Sequence, residues 1–184
     1  MYDEKALVTS AHSTTNQSNT VKAKGTTEKI AQTAANGSQS TGTISFVKAA
    51  YQDVGFLTYL RKLTMEEHLL KAGLKLSDEQ HVARVHEHFS DSYLIKLGQA
   101  TVGLIKLGVE NGNLHIRQFQ ILPQYQNKGI GDKVLLVCKR KASEQHRTIT
   151  LNVLHDNPAK QLYLRHGFVI ENTDNLQHFM RYSK

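Results

Sequence analysis

A short glycine-containing run is the part of this sequence whose residue types most clearly suggest chemistry. The run QNKGIG, residues 126–131, follows an apolar segment and precedes an amphipathic one. Backbone amides at a helix N-terminus are unpaired and favour anions, and glycines let a backbone approach a phosphate closely. Lys128 adds a positive charge. The run therefore predicts a phosphate site, and it fits equally well a plain glycine turn that caps a helix.

Two common nucleotide-binding loops are excluded at this position. No Ser or Thr follows a Gly-Lys pair, so the run is not a GxxxxGK[ST] loop. The third residue after Gly131 is Val134 rather than glycine, so the run is not a GxGxxG loop either. A phosphate site in this run would therefore belong to another class of loop.

A second motif lies about thirty residues downstream of the first. NPAKQLYLRHGF, residues 157–168, reads N-x-A-x-x-L-Y-x-x-x-G-F, and the earlier run reads Q-x-x-G-x-G. Both motifs, each between a predicted strand and a predicted helix, closely resemble those of the Gcn5-related N-acetyltransferase (GNAT) superfamily. The resemblance extends from about Ser45 to the C-terminus.

The resemblance implies an acetyl-CoA-dependent N-acetyltransferase, an acyltransferase that moves an acetyl group directly to a primary amine. Acetyl-CoA would be a co-substrate, and no metal is expected. No motif identifies the acceptor, which could be a small molecule or a protein. Because no covalent enzyme intermediate is required, Cys138, predicted to face the core, is not expected to act as a nucleophile.

The same resemblance implies which residues contact coenzyme A. Backbone amides of the 126–131 run and the next residue would wrap the pyrophosphate. The sheet would be splayed between the preceding strand and the 148–154 strand, so that the pantetheine arm fills the gap and contacts main-chain groups there. An asparagine would cap its helix and contact the arm. The implied contacts are Ile121, Leu122, Gln126, Asn127, Lys128, Gly129, Ile130, Gly131, Asp132 and Asn157.

Two residues are implied to take part in the chemistry. Tyr163 matches a tyrosine that often lies near the coenzyme A sulfur, where its hydroxyl can donate to the leaving thiolate. The alternative is a core tyrosine beside Ala159 and Leu162. His115 occupies the strand position of the glutamate base in the histone-modifying branch, and an imidazole suits base work at neutral pH. His115 also fits a structural strand histidine, with a water chain acting as the base.

The two helices predicted before the strand meander are expected to wall the acceptor pocket. Helical spacing places Arg61, Met65 and His68 on one face. The three histidines at positions 81–88 do not all share a face, so a zinc site is not expected. The acidic residues of this region either attract a cationic amine or form solvated helix faces: Glu66, Glu67, Asp78, Glu79 and Glu87.

The elements that must position these residues follow from hydrophobic periodicity. The pattern predicts a strand at 43–50, helices at 53–73 and 77–89, a three-strand meander at 92–122, a helix at 129–143, a strand at 148–154, a helix from Asn157 to about Gly167 and a final hairpin. This order predicts an α/β (α+β) domain with a GNAT-like mixed, mainly antiparallel twisted sheet of about six to seven strands and helices on both faces.

Composition sets the domain limits and excludes several functions. Residues 1–42 are mostly small and polar, which predicts a disordered or loosely attached tail before the domain at 43–184. No stretch is apolar enough to span a membrane, and the single cysteine suits a reduced, cytoplasmic protein. The formal net charge of +7 favours an anionic partner.

Other functions compatible with the sequence differ in what they require. A non-catalytic acyl-CoA-binding sensor or scaffold is the alternative to the enzyme, since it would keep the cofactor motifs and lack acceptor chemistry. Nucleic acid is not an expected partner, because no row of Lys and Arg is interleaved with aromatic residues. The sequence leaves a homodimer open.

Overall fold

The computed structural model describes residues 42–183, which lie within one compact unit, Gln39–Lys184. The predicted tail lies outside the described residues apart from Gly42, so the tail and its boundary at 42/43 stay predictions.

Seven β-strands and four α-helices make up the described chain, in the predicted order. The strands are β1 (Ile44–Lys48), β2 (Ser92–Leu97), β3 (Ala100–Glu110), β4 (Asn113–Ile121), β5 (Ile149–Leu154), β6 (Val169–Thr173) and β7 (Gln177–Tyr182). The helices are α1 (Val54–Lys71), α2 (Asp78–His86), α3 (Ile130–Glu144) and α4 (Ala159–Arg165). Short 3-10 turns occupy Tyr51–Asp53, Phe89–Asp91 and Pro123–Tyr125.

The strands form one sheet in the order β1-β2-β3-β4-β5-β7-β6. Every neighbouring pair is antiparallel except β4 and β5, which are parallel. This confirms the predicted mixed, mainly antiparallel sheet. β4 pairs with β5 only over residues 114–116 and 149–151, although β4 continues to Ile121 and β5 to Leu154. The two strands therefore diverge beyond a short ladder.

Alternating side chains send apolar groups to both faces of the sheet. On β2 and β3, Ile95 and Ile105 join the core shared with α3 and α4. Leu94 and Leu104, the preceding residues, join the core shared with α1 and α2. Because adjacent strand residues point to opposite faces, the helices cover both sides, as predicted.

Local sequence signals explain several element boundaries. The Ser77 hydroxyl accepts from the Gln80 amide and the Ser77 amide donates to the Gln80 side chain at 2.7 Å, which is the predicted capping box. Asn111 and Gly112 both have positive φ, as an Asn-Gly hairpin turn requires. The second helix ends at His86 instead of near Phe89, because the chain enters a left-handed residue and a 3-10 turn.

None of the helices in the described part of the chain has the length and apolar character needed to cross a bilayer. Cytoplasmic location, the lack of a nucleic-acid partner and the open question of a homodimer stay at the level of sequence predictions.

Candidate active site

A β-bulge marks the point where β4 leaves β5. The register between β3 and β4 shifts between Lys106 and Leu107, which leaves Arg117 as the extra residue on β4. Arg117 donates to the Asp91 carboxylate at 3.1 Å and forms a second ion pair with Glu110. A bulge bends its strand and increases its twist. The bulge therefore separates the N-terminal part of β4, which pairs with β5, from the C-terminal part, which pairs with β3 alone.

A cavity of about 280 Å³ lies beside the end of β4, beyond the point where β4 stops pairing with β5. Its walls come from the middle of α1, the end of β4, the loop into α3, and the segment from Asn157 through α4. Of the twelve residues predicted to bind coenzyme A or to act in catalysis, eight line the cavity: Ile121, Gln126, Asn127, Gly129, Gly131, Asp132, Asn157 and Tyr163. The others, Leu122, Lys128, Ile130 and His115, are not among its lining residues.

The loop before α3 has the backbone geometry of an anion site. Gly129 is the N-cap of α3 with a φ of 72°, and Asn127 also has a positive φ, 56°. The amide of Lys133 donates to the Gly129 carbonyl at 3.2 Å. The helical amides before Lys133 have no intrahelical acceptor, and the helix dipole gives them partial positive charge. This loop, residues 126–131, can therefore hold a phosphate group, and we call it the phosphate-type loop.

The two glycines of the loop meet different needs. A Cβ at Gly129 would meet nothing within 4 Å, so its left-handed backbone is what favours glycine there. A Cβ at Gly131 would lie 2.9 Å from a terminal carbon of Leu162 on α4. Gly129 thus shapes the loop, whereas Gly131 lets α3 approach α4 closely.

Asp132 is the acidic residue among those that line the cavity. Its carboxylate lies 2.9 Å from His166 Nε2, and this hydrogen bond lowers the pKa of Asp132 below its ordinary value. Arg165, which directly precedes His166, also lines the cavity. The hydrogen bond to His166 holds the Asp132 carboxylate at the start of α3.

The end of β4 is tied to the loop that follows it. The Ile121 carbonyl accepts a hydrogen bond from the Gln126 side chain at 2.8 Å. The Leu122 amide donates to the Val102 carbonyl at 2.9 Å, and the Leu122 carbonyl accepts from the Tyr125 amide at 2.8 Å. Both main-chain groups of Leu122 are thus engaged within the protein, and the pantetheine contacts of Ile121 and Leu122 stay predictions.

Asn157 and Tyr163 approach the cavity from the other side of the gap. The Asn157 side chain accepts from the Ala159 amide at 2.9 Å, so it caps α4 although the helix begins two residues later. Tyr163 is 6% exposed and packs edge-on against Phe168, with ring centroids 5.6 Å apart. Burial raises the pKa of the Tyr163 hydroxyl, so this group stays protonated and can donate a hydrogen bond. Tyr163 is at once a core residue and a wall of the cavity.

His115 lies at the opposite end of β4, within the short parallel ladder. Its Nδ1 is 2.8 Å from the Thr150 hydroxyl oxygen on β5, and burial lowers the pKa of the imidazole. Phe119, the first cavity-lining residue of β4, is four residues further along. At a rise of about 3.3 Å per residue this is a separation of about 13 Å. The cavity therefore does not bring His115 together with Tyr163.

The middle of α1 forms one wall of the cavity, and α2 contributes no lining residue, so the acceptor wall predicted from both helices stays a prediction. Thr64, Met65 and His68 line the cavity, while Arg61, predicted with them, is 7% exposed and is not a lining residue. The Thr64 hydroxyl donates to the Leu60 carbonyl at 2.8 Å. The buried Nδ1 of His68 has no hydrogen-bond partner among residues 42–183. His68 is thus the polar α1 side chain best placed to meet a ligand.

The acidic residues of α1 and α2 lie away from the cavity, and none of the five named from the sequence lines it. All five are exposed at the surface. Three form ion pairs: Glu67 with Lys71, Asp78 with Lys62, and Glu87 with Arg84. Their arrangement fits solvated helix faces, one of the two interpretations open from the sequence.

Gln120 and His166 are site residues that sequence reasoning missed. Gln120 is 5% exposed and lines the cavity, and its side-chain oxygen has no hydrogen-bond partner within the described range. A glutamine among alternating strand residues is the one signal that could have pointed to it. The pairing of His166 with Asp132 joins residues 34 apart, and no local pattern indicates it.

No group of three or more His, Cys, Asp or Glu residues is placed to hold a metal ion in the part of the chain that the structure describes. His81, one of the histidines considered from the sequence, is 1% exposed, and burial lowers its pKa.

Residues 64–181 match the family model described as an acetyltransferase (GNAT) domain. The chain belongs to the GNAT acetyltransferase family. The matched span contains the phosphate-type loop, both diverging strands and Tyr163. No curated protein sequence matches this chain closely enough to be counted as a relative.

Solved structures share the fold of this GNAT domain at low sequence identity. The PaiA N-acetyltransferase of Thermoplasma acidophilum, solved in complex with coenzyme A, is 18% identical with a TM-score of 0.62, covering 77% of this chain and 99% of its own. An acetyltransferase of Thermus thermophilus is 22% identical with a TM-score of 0.61, covering 76% and 96%. Arabidopsis thaliana Naa50, in complex with the bisubstrate analogue CoA-Ac-MVNAL, is 19% identical with a TM-score of 0.55, covering 77% and 99%.

Proposed function

We propose that this GNAT domain transfers an acetyl group from acetyl-CoA directly to the primary amine of a small-molecule or protein acceptor. One observation carries the proposal: a single cavity joins the phosphate-type loop, the β4–β5 gap, Tyr163 and α1. A donor in the gap and an acceptor entering beside α1 would meet next to the Tyr163 ring.

The residues around the gap fit a pyrophosphate followed by an extended arm. Amides of the α3 N-terminus would bind the pyrophosphate, and main-chain groups at the end of β4 would bind the arm. Coenzyme A in the structure of the Thermoplasma acidophilum relative supports this donor. The proposed contacts are Ile121, Leu122, Gln126, Asn127, Lys128, Gly129, Ile130, Gly131, Asp132 and Asn157.

Direct transfer asks for a proton donor and a group that polarises the carbonyl. Acetyl-CoA supplies an acetyl group activated as a thioester. The neutral amine nitrogen forms the new C–N bond as the C–S bond breaks. The nitrogen then gives up one proton and the departing sulfur takes one, so the products are the amide and the free thiol. The Tyr163 hydroxyl, on a residue that lines the cavity, stays protonated and is the proposed hydrogen-bond donor to the leaving sulfur. A main-chain amide at the end of β4 is the proposed polarising group.

The amine must lose a proton before it attacks, because a free lysine-type amine has a pKa of about 10.4. His68 lines the cavity and is our first proposal for the group that takes this proton. His115, predicted from its strand position, stays a proposal that would need a water chain to reach the amine.

An amine panel tests the proposed transfer against the alternative of an acyl-CoA sensor. Purified protein is incubated with acetyl-CoA and primary amines on neutral, anionic and cationic carriers, including peptides with a free N-terminus. Thiol release and product mass are measured, and coenzyme A binding is measured by calorimetry. We expect both binding and acetylation. Binding without acetylation of any amine would favour the sensor, and absence of binding would contradict both functions.

A further inference from the structure

We infer that Gln120 holds the acceptor amine, and that the acceptor side of the cavity takes a primary amine on a carrier with no further positive charge. This inference rests on the proposed acetyl transfer, since it names the class of substrate for the same site. Three observations support it: the state of the Gln120 carboxamide, the charges around the cavity and the contrast with Gln118.

Gln120 is a buried polar side chain that lines the cavity. It lies between Phe119 and Ile121, which also line the cavity, in the part of β4 that does not pair with β5. Its side chain is 5% exposed, and its oxygen has no partner among the described residues. Buried polar atoms in native proteins are usually satisfied, and an amine N–H is a donor that this oxygen can accept.

Charges around the cavity argue against a polycationic acceptor. Asp132 is its acidic lining residue, and its carboxylate contacts His166 at 2.9 Å beside the phosphate-type loop. Arg165 contributes a positive charge to the lining. Burying an additional ammonium without a carboxylate partner is costly, because its lost hydration is not replaced. The site therefore favours an acceptor whose only cationic group is the reacting amine.

A carboxamide also suits the chemistry better than a carboxylate at this position. A carboxylate beside the amine would favour its protonated form and raise its pKa. The protonated amine has no lone pair with which to attack. A neutral oxygen can orient the amine through a hydrogen bond without that shift. Gln120 can thus position the nucleophile in its reactive form.

Gln118 provides a matched control on the same strand. It lies two residues before Gln120, on the same face of β4, and its side-chain oxygen also has no hydrogen-bond partner among residues 42–183. Its side-chain nitrogen donates to the Arg84 carbonyl at 3.3 Å, and it does not line the cavity. A substitution at Gln118 therefore reports the cost of losing a half-buried glutamine away from the cavity.

The test compares three ring-matched amines, benzylamine, para-carboxybenzylamine and para-xylylenediamine, with the full chain and acetyl-CoA. We expect benzylamine to have a kcat/KM at least about tenfold above the diamine. Gln120→Leu should lower kcat/KM for benzylamine at least about tenfold, the scale of one lost hydrogen bond to an amine, with KM for acetyl-CoA unchanged. Gln118→Leu should stay within about twofold of the unsubstituted protein. Gln120→Glu should shift preference towards the diamine.

Each outcome separates this inference from the function on which it rests. Equal or better use of the diamine by the unsubstituted protein, or equal losses in the Gln118 and Gln120 variants, would overturn the inference alone. If the protein binds coenzyme A but releases no thiol from acetyl-CoA with any amine, the proposed transfer is overturned. Circular dichroism checks that each variant folds. If Gln120→Leu does not fold, the test uses the isosteric Gln120→Glu variant, and an unchanged preference of that variant among the three amines would overturn the inference.

Discussion

At the scale of single residues, the Tyr163 hydroxyl is the donor whose removal tests the chemistry most directly. Tyr163→Phe keeps the ring that packs on Phe168 and removes the hydroxyl alone. We expect kcat to fall by about a hundredfold, the lower end of the usual contribution of a general acid, with little change in KM for acetyl-CoA. Steady-state thiol release at saturating amine measures the effect.

Tyr182→Phe is the control for this change. Tyr182 contacts Phe168 at the same centroid distance, 5.6 Å, and is not a cavity-lining residue. Its substitution should leave kcat unchanged. If Tyr163→Phe behaves like Tyr182→Phe, then Tyr163 serves the core alone.

A pair of histidine variants distinguishes the two proposed bases. We expect His68→Ala to lower kcat by about tenfold or more near pH 7, and less near pH 9, where more of the amine is already unprotonated. His115→Ala should lower kcat less, and it should mainly cost the hydrogen bond to Thr150, about 1 kcal/mol of unfolding free energy. Rate profiles from pH 6 to 9 and urea unfolding measure both effects. A larger rate loss at His115 would assign the base to that residue.

Sequence reasoning reached the residues that act through local backbone geometry. Gly129 and Asn157 stand in motifs whose turn and cap chemistry can be interpreted without the rest of the chain, and the structure gives them a left-handed φ and a capping hydrogen bond. Gln120 and His166 depend on contacts between distant segments. No spacing in the sequence predicts which side of a strand faces a cavity once a bulge has changed its register.

At the scale of elements, the left-handed glycine at the start of α3 links the fold to donor binding. Gly129→Ala puts a Cβ on a backbone with φ of 72°, at a cost of about 1–2 kcal/mol in that conformation. We expect the loop to shift and the Kd for coenzyme A to rise at least about tenfold, while the fold persists. Calorimetry measures binding, and urea unfolding measures stability.

Gly73→Ala is a matched control for the loop. Gly73 has a φ of 76°, and a Cβ there would also meet nothing within 4 Å, but it follows the C-terminus of α1 and does not line the cavity. The two variants should lose similar stability, and only Gly129→Ala should lose affinity. Equal affinities would show that the α3 loop does not bind the cofactor.

The order of elements could be predicted because periodicity, caps and turn residues are local signals. The divergence of β4 from β5 could not be derived in this way, and it entered through the family resemblance. It coincides with the bulge at Arg117, whose side chain contacts Asp91 from the turn before β2 and Glu110 from β3. Such a combination of distant charges leaves no trace in the hydrophobic pattern of β4.

At the scale of the whole molecule, a buried lysine links pH to stability. Lys106 on β3 is 2% exposed, and its ammonium donates to carbonyls at the C-terminal end of α2, those of Val85 at 3.1 Å and Glu87 at 2.6 Å. Burial lowers the pKa of Lys106 to about 8. In the unfolded chain a lysine keeps a pKa of about 10.4.

The sign of the pH effect follows from these two pKa values. Between about pH 8 and pH 10.4 the unfolded chain binds a proton that the folded protein has released, so the Lys106 contribution to unfolding free energy rises with pH. Below pH 8 both states are protonated and the contribution is constant. We expect the difference in unfolding free energy between the unsubstituted protein and Lys106→Met to grow by about 2 kcal/mol from pH 7 to pH 10.

Urea unfolding of both proteins at the two pH values measures this growth. Subtraction cancels the titration of groups common to both proteins, provided they lie far from the substitution. The growth, and not the difference at one pH, is the readout, because Lys106→Met also removes the hydrogen bonds to α2. A difference that stays constant with pH would mean that Lys106 has the same pKa in the folded and unfolded states.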